Sequence, residues 1–231
     1  MPKIVTHIAA IALALTAAPI AAEVTDSTDL GFVTRDEAVV ETNLKETWLA
    51  LISPARWWNS SHTWSGDAAN LTLRPQAGGC FCERIPEDPD PNVISLEGSV
   101  EHMRVIQAFP EKALRMQGGL GPLQSEPVTG VLTIVLSEVD EGTRIVWEYN
   151  VGGSMRYKVP EISKAVDGVM SQQLNGLAKM LGRVDVATAD DPEPKADEMV
   201  ADADDGEAPA KVKAKASGSS VDEAFGDLSD D

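Results

Sequence analysis

Alternation of apolar and polar positions runs through the middle of the chain, and a switch to a helical period ends it. Leu71 and Leu73 alternate with Thr72 and Arg74, and Gly78-Gly79 leads into a run at 80–85. Segments at 100–109, 113–117, 128–139 and 143–151 follow, with turn residues between them. Successive side chains of a strand point to opposite faces, so this is the pattern of an antiparallel meander with one face buried. Asp140-Glu141-Gly142 is a tight hairpin between the last two segments. On the final segment Ile145, Trp147 and Tyr149 share one face, expected to point inward, and Arg144, Glu148 and Asn150 share the other. From 160 to 182 the period changes, and Ile162, Val166, Val169, Leu174, Leu177 and Leu181 form one stripe of a helix about five to six turns long. Gly182 suits its C-terminal cap. Gly168 and Gly176 inside it each cost about 1 kcal/mol relative to alanine, a cost that close packing on the sheet, or room for a ligand beneath the helix, would explain.

Ahead of the meander, residues 36–41 carry the β-branched pair Val39-Val40 and read as a short strand. Asn43 with Glu46 three residues on resembles a capping box, and Leu44, Trp48, Leu51 and Ile52 recur at helical spacing. Pro54 ends that helix and opens a second short one bearing Trp57 and Trp58.

Composition divides the 231 residues unevenly. Fifteen acidic residues against four lysines between 184 and 231 carry most of a net charge of −18, and Phe225 is the one aromatic residue there. Such a stretch cannot build a core, and 184–231 reads as an acidic disordered tail. Its charge repels phosphate backbones and anionic headgroups, which argues against nucleic acid and peripheral membrane partners. At the other end Lys3, the apolar run from Ile8 to Leu15 and the alanines at 17, 18, 21 and 22 read as a signal peptide over 1–22. The apolar stretch is shorter than the roughly twenty residues a membrane-spanning helix needs, and Pro19 interrupts it. The expected product is periplasmic or secreted, without stable membrane insertion once the signal is removed. A flexible lead at 23–32 and one folded domain at 33–183 complete the division.

The order strand, helix, helix, six-stranded meander and long terminal helix resembles that of the START-like, or SRPBCC, superfamily. Three segments carry the likeness. Trp-Leu-Ala-Leu-Ile-Ser-Pro-Ala-Arg-Trp-Trp at 48–58 resembles the family's tryptophan-bearing first helix, its break and the following tryptophan pair. Leu-Arg-Pro-Gln-Ala-Gly-Gly-Cys-Phe at 73–81 resembles its glycine turn before the third strand, and Gly-Thr-Arg-Ile-Val-Trp-Glu-Tyr at 142–149 its last strand. The nearest branch is that of the heat-shock-protein ATPase activator homologues and polyketide cyclase-like proteins. The resemblance implies an α+β helix-grip fold, a curved antiparallel sheet wrapped around the long C-terminal helix with a cavity between them. It also implies apolar ligands such as lipids or polyketides, with catalysis in a minority of members. Fold alone does not choose among these.

A cavity of that kind is mostly apolar with a few polar groups fixing orientation. The expected lining is Phe81, Met103, Met116, Leu132, Ile134, Trp147 and Tyr149 from the sheet, with Met170 and Leu174 from the helix; the competing reading makes them plain core. Tyr149 supplies the polar handle. Gly118-Gly119-Leu120-Gly121-Pro122-Leu123 is a candidate lid, or else an ordinary connection. Cys80 and Cys82 are the only cysteines. Two strand residues advance about 6.6 Å, at the upper edge of disulfide geometry, so a bridge between them is disfavoured. With His102, and with His62 in the loop before, they offer zinc-type ligands in a spacing that matches no standard motif; inert thiols are the alternative. Glu83 or His62 could act as a general base if enclosed. No phosphate loop, nucleophile elbow or zinc-protease signature occurs, and no cofactor is expected. The leading expectation is binding or carriage of an apolar small molecule. A cyclase- or dehydratase-like enzyme using a cavity acid or base comes next, then a metal or redox site at the Cys-Phe-Cys strand. Nothing in the residues identifies a protein partner.

Overall fold

The alternating segments become strands because each turns every second side chain onto a common apolar layer. A computed structural model describes residues 23–184; the segment 1–22, read above as a signal peptide, and the acidic stretch from 185 onward lie outside the described residues. In chain order the elements are β1 (Glu23–Thr28), β2 (Gly31–Val40), α1 (Leu44–Leu51) and three short 3-10 helices at Pro54–Arg56, Ser60–His62 and Ala68–Asn70. The strands β3 (Leu71–Leu73), β4 (Cys80–Ile85), β5 (Gly98–Phe109) and β6 (Ala113–Gln117) follow, then a 3-10 helix at Gly121–Ser125. The chain continues through β7 (Val128–Val139), β8 (Gly142–Gly153), α2 (Val159–Met180) and the two-residue β9 (Arg183–Val184). Every pairing is antiparallel, in the order β1-β2-β8-β7-β6-β5-β4-β3, with β9 on the far end of β2.

This is the expected α+β helix-grip architecture. The helix α2 lies over β2 and β1, and α1 over β7 and β8. Leu174, Leu177 and Ala178 are wholly buried, while Val169 of the expected stripe is only partly so. Burying each leucine contributes roughly 1.5–3 kcal/mol. Asn43 caps α1 by accepting the Glu46 N–H at 2.9 Å, and Gly182, at a φ of 78°, follows the end of α2.

Two boundaries differ from the sequence reading. Residues 23–32 are not a flexible lead: they form β1 and the start of β2, joined by a tight turn. Polar side chains hid this strand, because an edge strand is held by backbone hydrogen bonds and needs little apolar surface. β2 likewise begins at Gly31 rather than near 36; its inward positions Phe32, Thr34, Asp36, Ala38 and Val40 are all buried. Thr34 and Asp36 interrupt the apolar alternation that would have shown it.

The two helix glycines have different reasons. A Cβ on Gly176 would stand 2.5 Å from the Trp57 carbonyl oxygen, so close packing explains that residue. Around Gly168 the space is open, and nothing in the structure explains it. Gly176→Ala is therefore expected to destabilise by about 1–3 kcal/mol, and Gly168→Ala to stabilise by up to about 1 kcal/mol. Urea denaturation of the two variants checks the opposite signs.

Candidate functional site

A small chamber over the sheet is lined by the sheet and the segment after α1, and by no residue of α2, so it is not the expected cavity between sheet and C-terminal helix. Trp57 and Trp58 follow the Pro54–Arg56 turn rather than riding on a helix as expected, and roof the chamber with Leu51 and Pro54. Its floor is Leu73, Phe81, Leu114, Met116, Leu132, Ile134 and Trp147. Five of the nine expected lining residues thus come together: Phe81, Met116, Leu132, Ile134 and Trp147. Tyr149, Met170 and Leu174 are buried but away from this lining, and Met103 turns to a neighbouring groove. The α2 side chains fill the core rather than the chamber, because α2 lies over the β1-β2 edge of the sheet.

The chamber has a volume of about 20 Å³, room for about one water molecule. Its walls are aromatic: Trp57 stands edge-on to Trp147 at 5.9 Å between ring centroids, and Trp58 to Phe81 at 5.2 Å. The roof indoles are tied to backbone carbonyls, Trp57 Nε1 donating to Ala50 at 2.9 Å and Trp58 Nε1 to His62 at 3.1 Å. Trp147 differs. Its side chain is buried, and Nε1 has no hydrogen-bond partner among the described residues.

Tyr149 has another task. Its hydroxyl donates to the Gly118 carbonyl at 2.9 Å and accepts the Leu120 N–H at 3.1 Å. Burial pushes its pKa well up, so the group stays neutral. A Cβ on Gly130 would collide with this hydroxyl, which accounts for a glycine within β7. Leu123 is buried and Gln124 accepts from Trp64 Nε1 at 2.9 Å. The segment 118–123, read as a candidate lid or an ordinary connection, is thus fastened at several points.

Beside it lies a groove of about 340 Å³ lined by Val100, Glu101, His102, Met103, Gln117, Gly118, Gly119 and Gln124. At its base a carboxylate holds an imidazole. Between Phe81–Met103 and Cys82–Glu101 the β4-β5 register slips, leaving His102 as an extra residue. A bulge of this kind re-aims a side chain, and both His102 and Met103 are buried. His102 Nε2 lies 2.8 Å from Glu83 Oε2, and the same carboxylate accepts the N–H groups of Trp64, at 3.0 Å, and Ser65. Burial pushes the Glu83 carboxyl upward, but the donors from Ser65, Trp64 and His102 outweigh it and hold the pKa below the ordinary value. Burial lowers the His102 pKa by more than Glu83 raises it. At neutral pH the pair is therefore a carboxylate accepting from a neutral imidazole. Nδ1 is left as an acceptor facing the Gln124 amide at 3.5 Å.

These contacts change the assignment of roles. Glu83 is satisfied by three donors and orients His102; the basic nitrogen at the groove is His102 Nδ1. His62 Nδ1 receives the buried Gln173 amide at 2.8 Å, while Gln173 Oε1 accepts the Asn59 N–H at 2.9 Å. Sequence reasoning missed Gln173 and Gln124. The first carried a signal, a polar residue next to Leu174 on the buried side of the helix; the second, in a connecting loop, carried none.

The proposed metal set of Cys80, Cys82 and His102 does not assemble. Phe81 and Glu83 occupy the inner face of β4 and the cysteines the outer one, and the bulge sends His102 inward. Cys80 and Cys82 are instead joined as a disulfide, against expectation. Their Cα atoms are 5.4 Å apart, shorter than ideal strand spacing allows, where the pairing with β5 is irregular. The sulfur positions lie within 4.8 Å of a Glu101 carboxylate oxygen.

No family model matches the chain, and neither does any curated protein. Among solved structures, one of a Mesorhizobium loti protein is similar at 17% identity, with a TM-score of 0.45 over 64% of this chain and 96% of that one. An uncharacterized Rhizobium leguminosarum protein is similar at 18% identity, with a TM-score of 0.46 over 64% and 93%. A Rhodobacter sphaeroides protein is similar at 19% identity, with a TM-score of 0.42 over 69% and 97%. Among the described residues no helix is long and apolar enough to cross a membrane.

Proposed function

We infer that the protein binds a small, largely apolar molecule carrying one hydrogen-bond acceptor, seated between the sheet and the Trp57–Trp58 roof. The observation that carries this reading is Trp147 Nε1, a buried donor without a partner among the described residues, on a side chain that lines an apolar, aromatic-walled chamber. An unsatisfied buried donor costs about 1–3 kcal/mol, and a carbonyl or hydroxyl oxygen on a guest recovers it. Ligand pockets usually enclose roughly 300–1,000 Å³, so a guest larger than water enters by displacing the roof. Trp57 and Trp58 are only partly buried and each indole nitrogen is held by one carbonyl, which leaves that displacement affordable. With the signal-like leader, the role is carriage in the cell envelope.

The test is a calorimetric titration with a medium-chain methyl ketone and the alkane of equal length. Trp147→Phe keeps an aromatic ring and removes the donor. It should weaken the ketone about tenfold, the worth of one hydrogen bond, and leave the alkane unchanged. Absence of binding to the wild-type protein, or equal weakening of both guests, rejects the reading. A catalytic role would fall to His102 at the groove, and native mass spectrometry separates the two: a carrier returns its guest unaltered.

A further inference from the structure

The chain's two cysteines form a bridge that contributes little to holding the fold. It joins residues two apart, and the stabilisation a disulfide draws from restricting the unfolded chain grows with the loop it closes. Nor does it pack in the core. Phe81 and Glu83 take the inner face of β4, and Cys80 and Cys82 are partly exposed on the outer one. Solvent thiols can reach such a bridge.

Its surroundings are charged and unequal. Arg104 is the cross-strand partner of Cys80, and Glu101 that of Cys82. Directly paired residues share a face of the sheet. Arg104 Nη2 donates to both oxygens of Glu101, at 3.0 and 2.8 Å, and a Glu101 oxygen lies within 4.8 Å of both sulfur positions. When the bridge opens, the Glu101 carboxylate disfavours a thiolate at either sulfur, and Arg104, paired across from Cys80, offsets this at Cys80. Glu101 also lines the 340 Å³ groove, beside the Gln117 amide. Those groups suit a peptide-like molecule.

We propose that Cys80–Cys82 is a reversible redox pair that exchanges with a low-molecular-weight peptide thiol seated at the Glu101 side of the groove. The thiolate of the incoming molecule attacks Cys82 Sγ. The sulfur–sulfur bond breaks, and its electron pair leaves on Cys80 beside Arg104, the better leaving group. A second thiolate attacks the outer sulfur of the mixed disulfide and departs as the oxidised dimer, and Cys82 takes up a proton. The protein disulfide is reduced by two electrons while two small thiols are oxidised to one disulfide. This exchange stands apart from guest binding in the chamber, which lies on the other face of the sheet.

The test uses glutathione. Oxidised protein is equilibrated in buffers of graded reduced-to-oxidised glutathione, acid-quenched, alkylated and weighed by mass spectrometry. The expected result is half-reduction within the range where glutathione itself is poised, a trapped adduct of one glutathione on Cys82, and an unchanged urea midpoint for the reduced protein. Arg104→Leu should shift the balance about tenfold toward the disulfide, the effect of one pKa unit at the leaving thiol, and Glu101→Gln should shift it the other way. A pair that stays oxidised in a large excess of reduced glutathione, unfolding on reduction, or an Arg104→Leu variant with wild-type equilibrium overturns the proposal. Cys82→Ser is the control that must form no adduct at position 82.

Discussion

Trp147→Ala is expected to cost about 3–5 kcal/mol, the range for removing a buried tryptophan. The side chain sits at the middle of β8, paired with Ile134 of β7 on one side and Asp36 of β2 on the other. It is 2% exposed. Its ring meets Trp57 edge-on, so its loss also unseats one of the two residues that roof the chamber. The surrounding strands are held in register by continuous ladders and cannot close the gap, and the penalty for an uncollapsed cavity rises with its volume. Equilibrium urea denaturation measures the effect. A change under 1 kcal/mol would mean that the inward face of β8 is not the one assigned. The enlarged chamber should also admit a benzene-sized guest, as dry apolar cavities of that size do.

Glu83→Gln is expected to destabilise by about 3 kcal/mol at pH 7, because hydrogen bonds to a buried charged acceptor are worth roughly 1.5–3 kcal/mol each and an amide turns one donor against another. The effect depends on pH. The folded-state pKa of Glu83 is depressed, so its contribution is full above the unfolded value near 4.5 and is lost as pH falls through the folded value. His102 is also depressed, so the unfolded chain takes up a proton below about 6.5 that the folded chain refuses. Stability therefore declines on acidification in two stages, the imidazole first and the carboxylate second. The gap between wild type and Glu83→Gln should narrow below pH 4.5. Urea midpoints at pH 7 and pH 4 test this, and a gap of constant size would mean that the carboxylate carries no charge at neutrality.

The strands of the meander were legible because each one alternates, and the terminal helix because its leucines keep one stripe. Ile145, Trp147 and Tyr149 do face inward. What escaped reading were features set by backbone pairing rather than by residue type. β1 is made of residues that favour solvent, and only its partner makes it a strand. The bulge at His102 inserts one residue into a ladder, so that His102 and Met103 are both buried where strict alternation, with Met103 inward, would turn the imidazole outward. The Glu83–His102 pair follows directly from that slip. The disulfide was misjudged for a related reason, since ideal strand spacing does not hold where pairing is irregular. Tyr149, chosen as a polar handle for a guest, is consumed by two backbone groups of the 118–125 connection, and these are distant in sequence.

The two ends of the described sheet also govern how the molecule behaves in company. Recruitment of a foreign strand requires a long, flat margin with apolar side chains. At one margin β1 presents mostly solvent-exposed polar residues and loses register between Val24 and Asp26. At the other, β3 has only three residues. Neither is a template for cross-molecular ladder growth, so edge-to-edge zipping between copies of this domain is disfavoured.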